Sequence, residues 1–281
     1  MGRFRILLLV ALSAGWPGWL PSETVEAPAG REEIVEQMPA ELAEFYVNPL
    51  EVTRNPTYAD GEKLRFKLGW SMFTVAHSQL EVEPVVHEGW DSLEITLDTR
   101  TNSFADAFYK VRNTSRSTIA RDASRSFRYQ TEQREGGDAK DIRALFDPES
   151  LTARYFNRLD GTEREPVPIL PGTFDPLGIV FFVRSLDFEV GDRLVVPTSN
   201  GKEFFYTIVH VVRKVERKFA YGRHEAFVLE PDIKDLGGVF KRSPNGKVRF
   251  FFSADDRKLP LRMESEVAVG SFWAELTEIL E

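Results

Sequence analysis

Apolar residues occupy every second position over short stretches of the chain from residue 62 onward. In the first stretch Leu64, Phe66, Leu68 and Trp70 alternate with charged or small residues, and residues 93–97 repeat the pattern. This period of two is typical of antiparallel strands that bury one face and expose the other. Such stretches recur at roughly 8–12-residue spacing between turn residues, which predicts about a dozen short strands. The other strand candidates are 71–82, 109–121, 126–134, 140–146, 151–158, 204–212, 225–229, 247–253, 259–264 and 272–276.

One segment, residues 173–191, departs from this alternation and predicts a helix over about 175–187. Asp175 is a favourable N-cap, Pro176 suits the first helical position, and Gly191 closes the segment. An apolar helix in a strand-rich chain caps or plugs a curved sheet, because its apolar face needs a partner layer. We therefore predict a mainly β fold: a single large antiparallel barrel-like or strongly curved sheet with this one inserted helix.

The N-terminus has the pattern of a secretory signal peptide. Arg3 and Arg5 give it a basic start, and residues 6–12 form an unbroken apolar run. Ala27-Pro28-Ala29 matches a small-residue cleavage site. We predict cleavage after residue 29, with cleavage after Gly15 as the alternative.

A membrane anchor is the other interpretation of this N-terminal segment. Gly15, Pro17 and Gly18 interrupt the apolar run and leave it too short for a good span. No later stretch approaches about 18 apolar residues, so we predict no transmembrane span in the mature chain. The expected location is the periplasm, or secretion beyond it. The predicted organisation is a signal peptide over 1–29, an acidic leader and linker over 30–60, and a β domain over 61–281.

The amino-acid composition excludes several kinds of site and argues against one class of partner. The 281 residues include no cysteine, which excludes disulfides, thiolate metal sites and cysteine nucleophiles. The formal net charge of −8 argues against binding along a nucleic-acid backbone, because such binding needs clustered Lys and Arg. We expect no cofactor and no nucleic-acid partner.

The sequence contains none of the common catalytic or metal-binding motifs. The four histidines do not fall at metal-ligand spacing, and His210 is interpreted as a hydrogen-bonded structural residue. The adjacent Asp255 and Asp256 are interpreted as turn residues, because neighbouring strand residues point to opposite faces. We predict no catalytic residue and no metal site. A hydrolase with a dispersed site remains an alternative.

Three residues are candidates for ligand binding. Arg184, near the end of the predicted helix, would either bind an anion in a cavity or form a buried ion pair with Asp175, Asp187 or a strand carboxylate. The second interpretation is favoured. Trp70 and Trp273 would line an apolar cavity if the sheet encloses one, although such residues more often belong to the core.

Residues 110–134 contain six arginines. Serine and threonine lie between them, a spacing that favours a solvated strand face. The alternative interpretation is attraction to an anionic envelope polymer or to lipid head groups.

Four segments, spread over about residues 60–280, carry a resemblance to a known family. In this order and spacing they resemble the DUF3108 family, bacterial exported proteins of unknown function. The resemblance implies an exported β-rich fold and brings no catalytic residues. The second strand departs from the family pattern, because His77 follows Ala76 where the family tends to have a small residue. The four segments are GEKLRF at 61–66 leading to Trp70, FDPL at 174–177 with Val183-Arg184 and Gly191-Asp192, SADDRKLP at 253–260, and GSFWAEL at 270–276.

These observations predict an exported cell-envelope protein that binds, without catalysis, an apolar or amphipathic ligand or a partner protein. The candidate partners are an envelope lipid, polymer or protein. An envelope interaction or assembly module without a small ligand is the first alternative, and the hydrolase is the second.

Overall fold

The computed structural model describes residues 38–232, 246–267 and 270–280. Fourteen antiparallel strands form one large sheet, and three short helices accompany it in this part of the chain. The strands are β1 Lys63–Trp70, β2 Phe73–His87, β3 Trp90–Thr101, β4 Val111–Ala120, β5 Ser126–Glu135, β6 Asp138–Asp147, β7 Thr152–Asn157, β8 Val167–Pro168, β9 Arg193–Ser199, β10 Phe204–Phe219, β11 Gly222–Pro231, β12 Lys247–Ser253, β13 Pro260–Val267 and β14 Gly270–Leu280. The helices are α1 Ala40–Ala43, α2 Ser103–Asp106 and α3 Gly178–Ser185.

The sheet consists of two meanders that meet in the middle. Strands β1 to β8 pair in sequence order, and β9 to β14 do the same. The pairing of β1 with β14 joins the two halves, which leaves β8 and β9 at the edges. This architecture confirms the predicted class: mainly β, with one large antiparallel sheet that is curved and barrel-like but not closed.

The β9 edge is covered by other parts of the chain. The backbone of Val195 accepts a hydrogen bond from Val47 N and donates one to Phe45 O, each at 3.0 Å. Farther along the same strand, Phe174 forms a parallel bridge with Thr198. An unpaired edge strand is a template for association, so this cover removes one common route to edge-to-edge pairing.

Helix α3 begins three residues later than predicted and ends two residues earlier. The Asp175 carboxylate accepts hydrogen bonds from the backbone N–H groups of Leu177 and Gly178, at 2.8 and 3.0 Å. Asp175 thus serves as the predicted cap, but a tight turn separates it from the first regular helical residue. At the other end Leu186 is extended, with ψ of 148°, and this stops the helix.

Helix α3 packs against the inner face of both halves of the sheet. Phe181 belongs to a core cluster that draws on both halves and includes Leu64 on β1 and Leu276 on β14. Phe182 and Val183 belong to a second cluster, built with residues of β9 to β12. The helix therefore fills the interior, as its apolar sequence predicts.

The two ends of the sheet carry different features. The β1–β2 end carries the turn at 71–72, the loop at 102–110 with α2, and the turn at 136–137. The α3 end carries the beginning of β1 and the turn at 254–259, which lie beside α3.

Candidate functional site

Arg184 lies completely buried and is bound to a carboxylate. Its side chain is 0% exposed, and its Nη1 and Nη2 atoms donate to the two carboxylate oxygens of Glu62 at 2.8 and 3.1 Å. Nε of Arg184 donates to the backbone oxygen of Lys258 at 3.2 Å. A bidentate pair of this kind occupies the guanidinium, so an anion could reach Arg184 only by displacing Glu62. The ion pair, not the anion site, is the arrangement the structure shows.

The Arg184–Glu62 pair joins three of the segments that carry the family resemblance. Glu62 precedes β1, Arg184 lies in α3, and Lys258 belongs to the 254–259 turn. The guanidinium also lies over the rings of Tyr58 and Phe181, 5.4 and 5.1 Å from their centroids. We interpret the Arg184–Glu62 pair and its neighbours as a structural contact that holds the helix against the two halves of the sheet.

Asp175 is buried in the same way and is also fully engaged. Besides the two backbone groups at the start of α3, its carboxylate accepts hydrogen bonds from the hydroxyls of Ser117 and Ser126. Burial raises the pKa of Asp175, and these four hydrogen bonds act against that increase. No free lone pair faces a solvent-filled site, so Asp175 acts as a structural cap.

The two candidate tryptophans lie on opposite faces of the sheet. Trp70 pairs with Phe272 in register and shares the inner face with it, whereas Trp273 pairs with Gly69 and lies on the outer face. The indole of Trp273 covers Gly69 so closely that a Cβ there would lie 2.0 Å from it. Its Nε1 donates to Ser71 O at 2.9 Å. The structure therefore does not bring Arg184, Trp70 and Trp273 together.

Aromatic side chains line the inner face at the β1–β2 end. Phe272, Trp70 and Phe73 follow one another on β14, β1 and β2 in direct register, so their side chains share one face. Phe272 is buried, Trp70 is half-buried, and Phe73 is 60% exposed. The row thus runs from the core out to solvent.

Large apolar side chains protrude at this same end. Met72, Phe104 and Phe108 are 89%, 62% and 76% exposed. Together with Phe73 they form what we call the apolar tip. Phe104 and Phe108 contact each other edge to face, with ring centroids 5.6 Å apart. Large apolar side chains that cluster on a surface mark sites of interaction with partners or lipids more often than isolated ones do.

The loop that carries Phe104 and Phe108 is held by its polar residues. Asn102 donates through Nδ2 to Thr74 O at 2.8 Å, which ties the loop to β2. The same side chain caps α2 by accepting from Ala105 N at 2.9 Å. Phe104 and Phe108 are therefore presented on an anchored loop beside β2, the strand that begins at Phe73.

A salt bridge completes this anchor. Arg112 donates to both carboxylate oxygens of Asp106, at 3.1 and 2.6 Å, and the Thr101 hydroxyl donates to one of them. The hydrogen bond from Arg112 is the main reason why the pKa of Asp106 falls to about 2. A carboxylate whose pKa is lowered in the folded state stabilises that state above its unfolded pKa of about 3.9.

We expect acidification to release this anchor. The stabilisation by Asp106 should be complete at neutral pH and should be lost as the pH falls from about 4 towards 2. The measurement is the urea midpoint of the protein and of Asp106→Asn between pH 7 and pH 2. The two midpoints should differ at pH 7 and converge in acid. Glu88→Gln, at the opposite end of the sheet, is the control. A difference between protein and Asp106→Asn that is constant with pH would contradict the assignment.

A polar row crosses the inner face on β2 to β5, deeper than the aromatic row. Ser78, Thr99, Asn113 and Gln133 stand in register across β2 to β5, and all four are buried. The hydroxyls of Ser78 and Thr99 are 2.5 Å apart and share a hydrogen bond. The next row toward the α3 end begins with leucines, Leu64 among them. On β1 and β2 the buried Leu68, Val75 and Ala76 lie between the aromatic row and this polar row. The inner face therefore combines an apolar strip on β1 and β2 with polar side chains on β2 to β5. This polar row could not be predicted as a group, because its members lie on four separate strands.

The remaining titratable residues do not assemble a reactive centre in the part of the chain that the structure describes. No group of three or more His, Asp or Glu residues there could hold a metal ion. His210 makes the predicted polar contact, with its Nε2 3.3 Å from the Asp232 carboxylate, but it is half-exposed. Asp255 and Asp256 lie in a turn, as predicted, and the Ser253 hydroxyl donates to Asp255.

The chain matches the model of a known protein family over most of its length. The model of the family described as "Protein of unknown function (DUF3108)" matches residues 65–277. No curated protein matches the sequence. Within the described residues, no helix has the length and apolar character that crossing a bilayer requires.

Several solved structures are similar to the chain at very low sequence identity. A β-barrel-like protein of the DUF1849 domain from Brucella abortus superposes with a TM-score of 0.50 and 9% identity, covering 79% of this chain and 98% of that chain. A protein from Bacteroides fragilis, provisionally described as exported and with a YmcC-like fold, gives 0.34 and 7%, with coverage of 82% and 100%. A protein from Parabacteroides distasonis, provisionally described as a lipoprotein, gives 0.30 and 9%, also with 82% and 100%. The first of these supports the barrel-like fold and nothing more specific.

Proposed function

Since the chain belongs to the DUF3108 family, we propose that it is an exported envelope protein that binds an apolar or amphipathic ligand without catalysis. The binding site is the inner face at the β1–β2 end, and Arg184 is not part of it. The exported location rests on the predicted signal peptide, residues 1–29, which lies outside the described residues. The periplasm is the proposed compartment.

One observation carries this proposal: the aromatic row Phe272, Trp70 and Phe73 leads from the exposed apolar tip to the buried inner face. Apolar pockets that take amphipathic ligands combine aromatic walls with a few polar groups that fix orientation. The buried polar row on β2 to β5 lies deeper on the same inner face and supplies such groups. An acyl chain or another amphipathic molecule matches this combination of apolar and polar side chains better than a free anion would.

The alternatives receive less support. An assembly module that works by strand addition needs an accessible edge. The β9 edge is covered by residues 45–47 and 174, and the other edge strand, β8, has only two residues, one of them a proline. A hydrolase needs convergent titratable groups in a pocket. Asp175, the most deeply buried carboxylate, is instead saturated by hydrogen bonds.

The experiment uses the mature protein and cis-parinaric acid, a fluorescent fatty acid. We expect saturable binding that palmitate displaces. Phe73→Ser should weaken binding roughly tenfold, because about half of a phenylalanine side chain loses its apolar contact. Native mass spectrometry of protein purified from its own periplasm should show a co-purifying lipid.

Val86→Ser is the matched control, because Val86 is also an exposed apolar strand residue but lies at the α3 end of the sheet. It should bind the probe like the unaltered protein. The proposal is overturned if the probe does not bind, or if Phe73→Ser and Val86→Ser behave alike. A protein partner without lipid in the mass spectrum would favour the assembly module instead.

A further inference from the structure

A row of basic residues crosses the outer face next to the apolar tip. Lys67, His77, Arg100, Arg112 and Arg134 stand in direct register on β1, β2, β3, β4 and β5. We call these five residues the basic row. All of them are exposed except Arg112, which is partly buried. On β14 the register continues to Glu275, which is already paired with Arg262.

The outer row behind the basic row is mostly acidic. Two residues farther from the β1–β2 end, it holds Asp98, Glu132 and Asp141 together with Arg65. The row beyond that one is mixed, with Lys63, Glu81, Arg116 and Arg143. The whole chain is acidic, with a net charge of −8, so composition alone does not produce a basic row. Asp98 contacts Arg100 and Asp106 contacts Arg112, which partly offsets the charge of these two arginines.

The basic row and the apolar tip lie at the same end of the same strands. Lys67 precedes Met72 by five residues and Arg100 precedes Phe104 by four, so the two features are separated by on the order of 10–15 Å of chain. Trp273, half-buried on the outer face at Gly69, lies between them. Along the strand direction the surface therefore runs from apolar through an amphipathic indole to cationic.

We propose that the β1–β2 end docks onto a membrane surface that contains anionic lipid. In this arrangement the apolar tip enters the boundary of the acyl chains, Trp273 lies at the head groups, and the basic row faces the lipid phosphates. Interfacial segments combine these same three elements, with apolar side chains inserted and Lys and Arg attracted to the anionic surface. Docking places the aromatic row next to the bilayer, which would then supply the lipid ligand of the proposed binding site. This inference therefore rests on the proposed binding function.

A membrane explains these observations better than a protein partner does. A protein–protein interface core is depleted of lysine and would bury the cations next to the apolar side chains. In the docked arrangement the cations remain hydrated at the head groups while only the apolar tip leaves water. Each Lys or Arg near an anionic surface strengthens binding severalfold, and salt weakens this contribution.

The test is co-sedimentation of the mature protein with vesicles. One set contains phosphatidylcholine alone, and the other contains phosphatidylcholine and phosphatidylglycerol in equal parts. At low salt we expect the protein to bind the second set and not the first. At high salt we expect this binding to be lost. Lys67→Glu/Arg134→Glu should weaken it roughly thirtyfold or more. This double variant leaves the Arg100–Asp98 and Arg112–Asp106 contacts in place.

The matched control is Lys218→Glu/Arg223→Glu, which reverses one Lys and one Arg that pair across β10 and β11 at the α3 end. It changes the net charge equally and should bind vesicles like the unaltered protein. Phe104→Ser/Phe108→Ser should also lose vesicle binding. The inference is overturned if both vesicle sets bind equally, if binding is insensitive to salt, or if the two charge variants behave alike.

The fatty-acid probe separates this result from the proposed function. The Lys67→Glu/Arg134→Glu variant should still bind cis-parinaric acid, because its substitutions lie on the outer face. Loss of vesicle binding with retained probe binding supports both proposals. Retained vesicle binding in that variant overturns the docking proposal alone. Failure of the unaltered protein to bind the probe overturns the proposed ligand site, whatever the vesicles show.

Discussion

Replacing Arg184 by methionine while Glu62 remains is expected to destabilise the protein by about 3–5 kcal/mol. The reason is that Glu62, which is 2% exposed, would lose both hydrogen bonds from Arg184, and its remaining charged neighbour is the half-exposed Arg257 at 3.9 Å. Net stabilities of folded domains are about 5–15 kcal/mol, so this loss removes much of the total. Urea unfolding followed by circular dichroism measures it.

The double variant Glu62→Leu/Arg184→Met distinguishes a structural role of the Arg184–Glu62 pair from a role of Arg184 in ligand binding. If the pair serves only to join α3 to the sheet, two apolar residues of similar size should restore most of the lost stability. The double variant should then bind cis-parinaric acid normally. A stable double variant that no longer binds the probe would contradict the structural assignment and return Arg184 to the binding site.

The second large effect is expected at Asp175. Asp175→Ala removes the acceptor of two backbone N–H groups and two serine hydroxyls in the interior. Unsatisfied buried donors and a lost helix cap each cost free energy, and we expect a total of about 2–4 kcal/mol. The free energy of unfolding at pH 7 is the measurement.

Asp175→Asn is the conservative control. Its amide oxygen can still accept from Leu177 N and Gly178 N, and the serine hydroxyls can rotate to accept from the amide nitrogen. It should therefore retain more stability than Asp175→Ala. Equal destabilisation by both substitutions would show that the negative charge, rather than the capping geometry, is what the site requires.

The fold was predictable because its signals are local. Alternation in runs such as 64–70 and 93–97 reports on the strand itself, and the Gly136-Gly137 turn reports on the hairpin between β5 and β6. Each needs only a few neighbouring residues. The pairing of β1 with β14 has no such local signal, so the sequence could suggest curvature but not how the sheet is joined.

The candidate site was harder to predict because it depends on distant residues. Arg184 was correctly favoured as one member of a buried ion pair, yet its partner Glu62 lies 122 residues away. The one signal in the sequence was that Glu62 and Arg184 both belong to the segments shared with the family. Trp70 and Trp273 look equivalent in the sequence, but the pleat of paired strands sends them to opposite faces.

The basic row is another feature that could not be predicted from the sequence alone. The arginines of 110–134 suggest a solvated face when they are read along the chain, and several of them do form ion pairs with outward carboxylates. Only the register across five strands shows that Arg112 and Arg134 align with Lys67, His77 and Arg100. Such an alignment is a property of the sheet and not of any one strand.

The joint between β1 and β14 also concentrates the entropic cost of the fold in one place. Most strand pairs connect neighbours through short turns, whereas Arg65 and Glu278 face each other across the joint at a separation of 213 residues. Closing so long a loop is costly, and long-range pairings of this kind dominate the time a β protein needs to fold. Within each meander the strands pair with their neighbours in sequence. The two meanders are joined by the β1–β14 pairing and by α3 with its Arg184–Glu62 pair, so the buried ion pair lies where the two halves of the sheet meet.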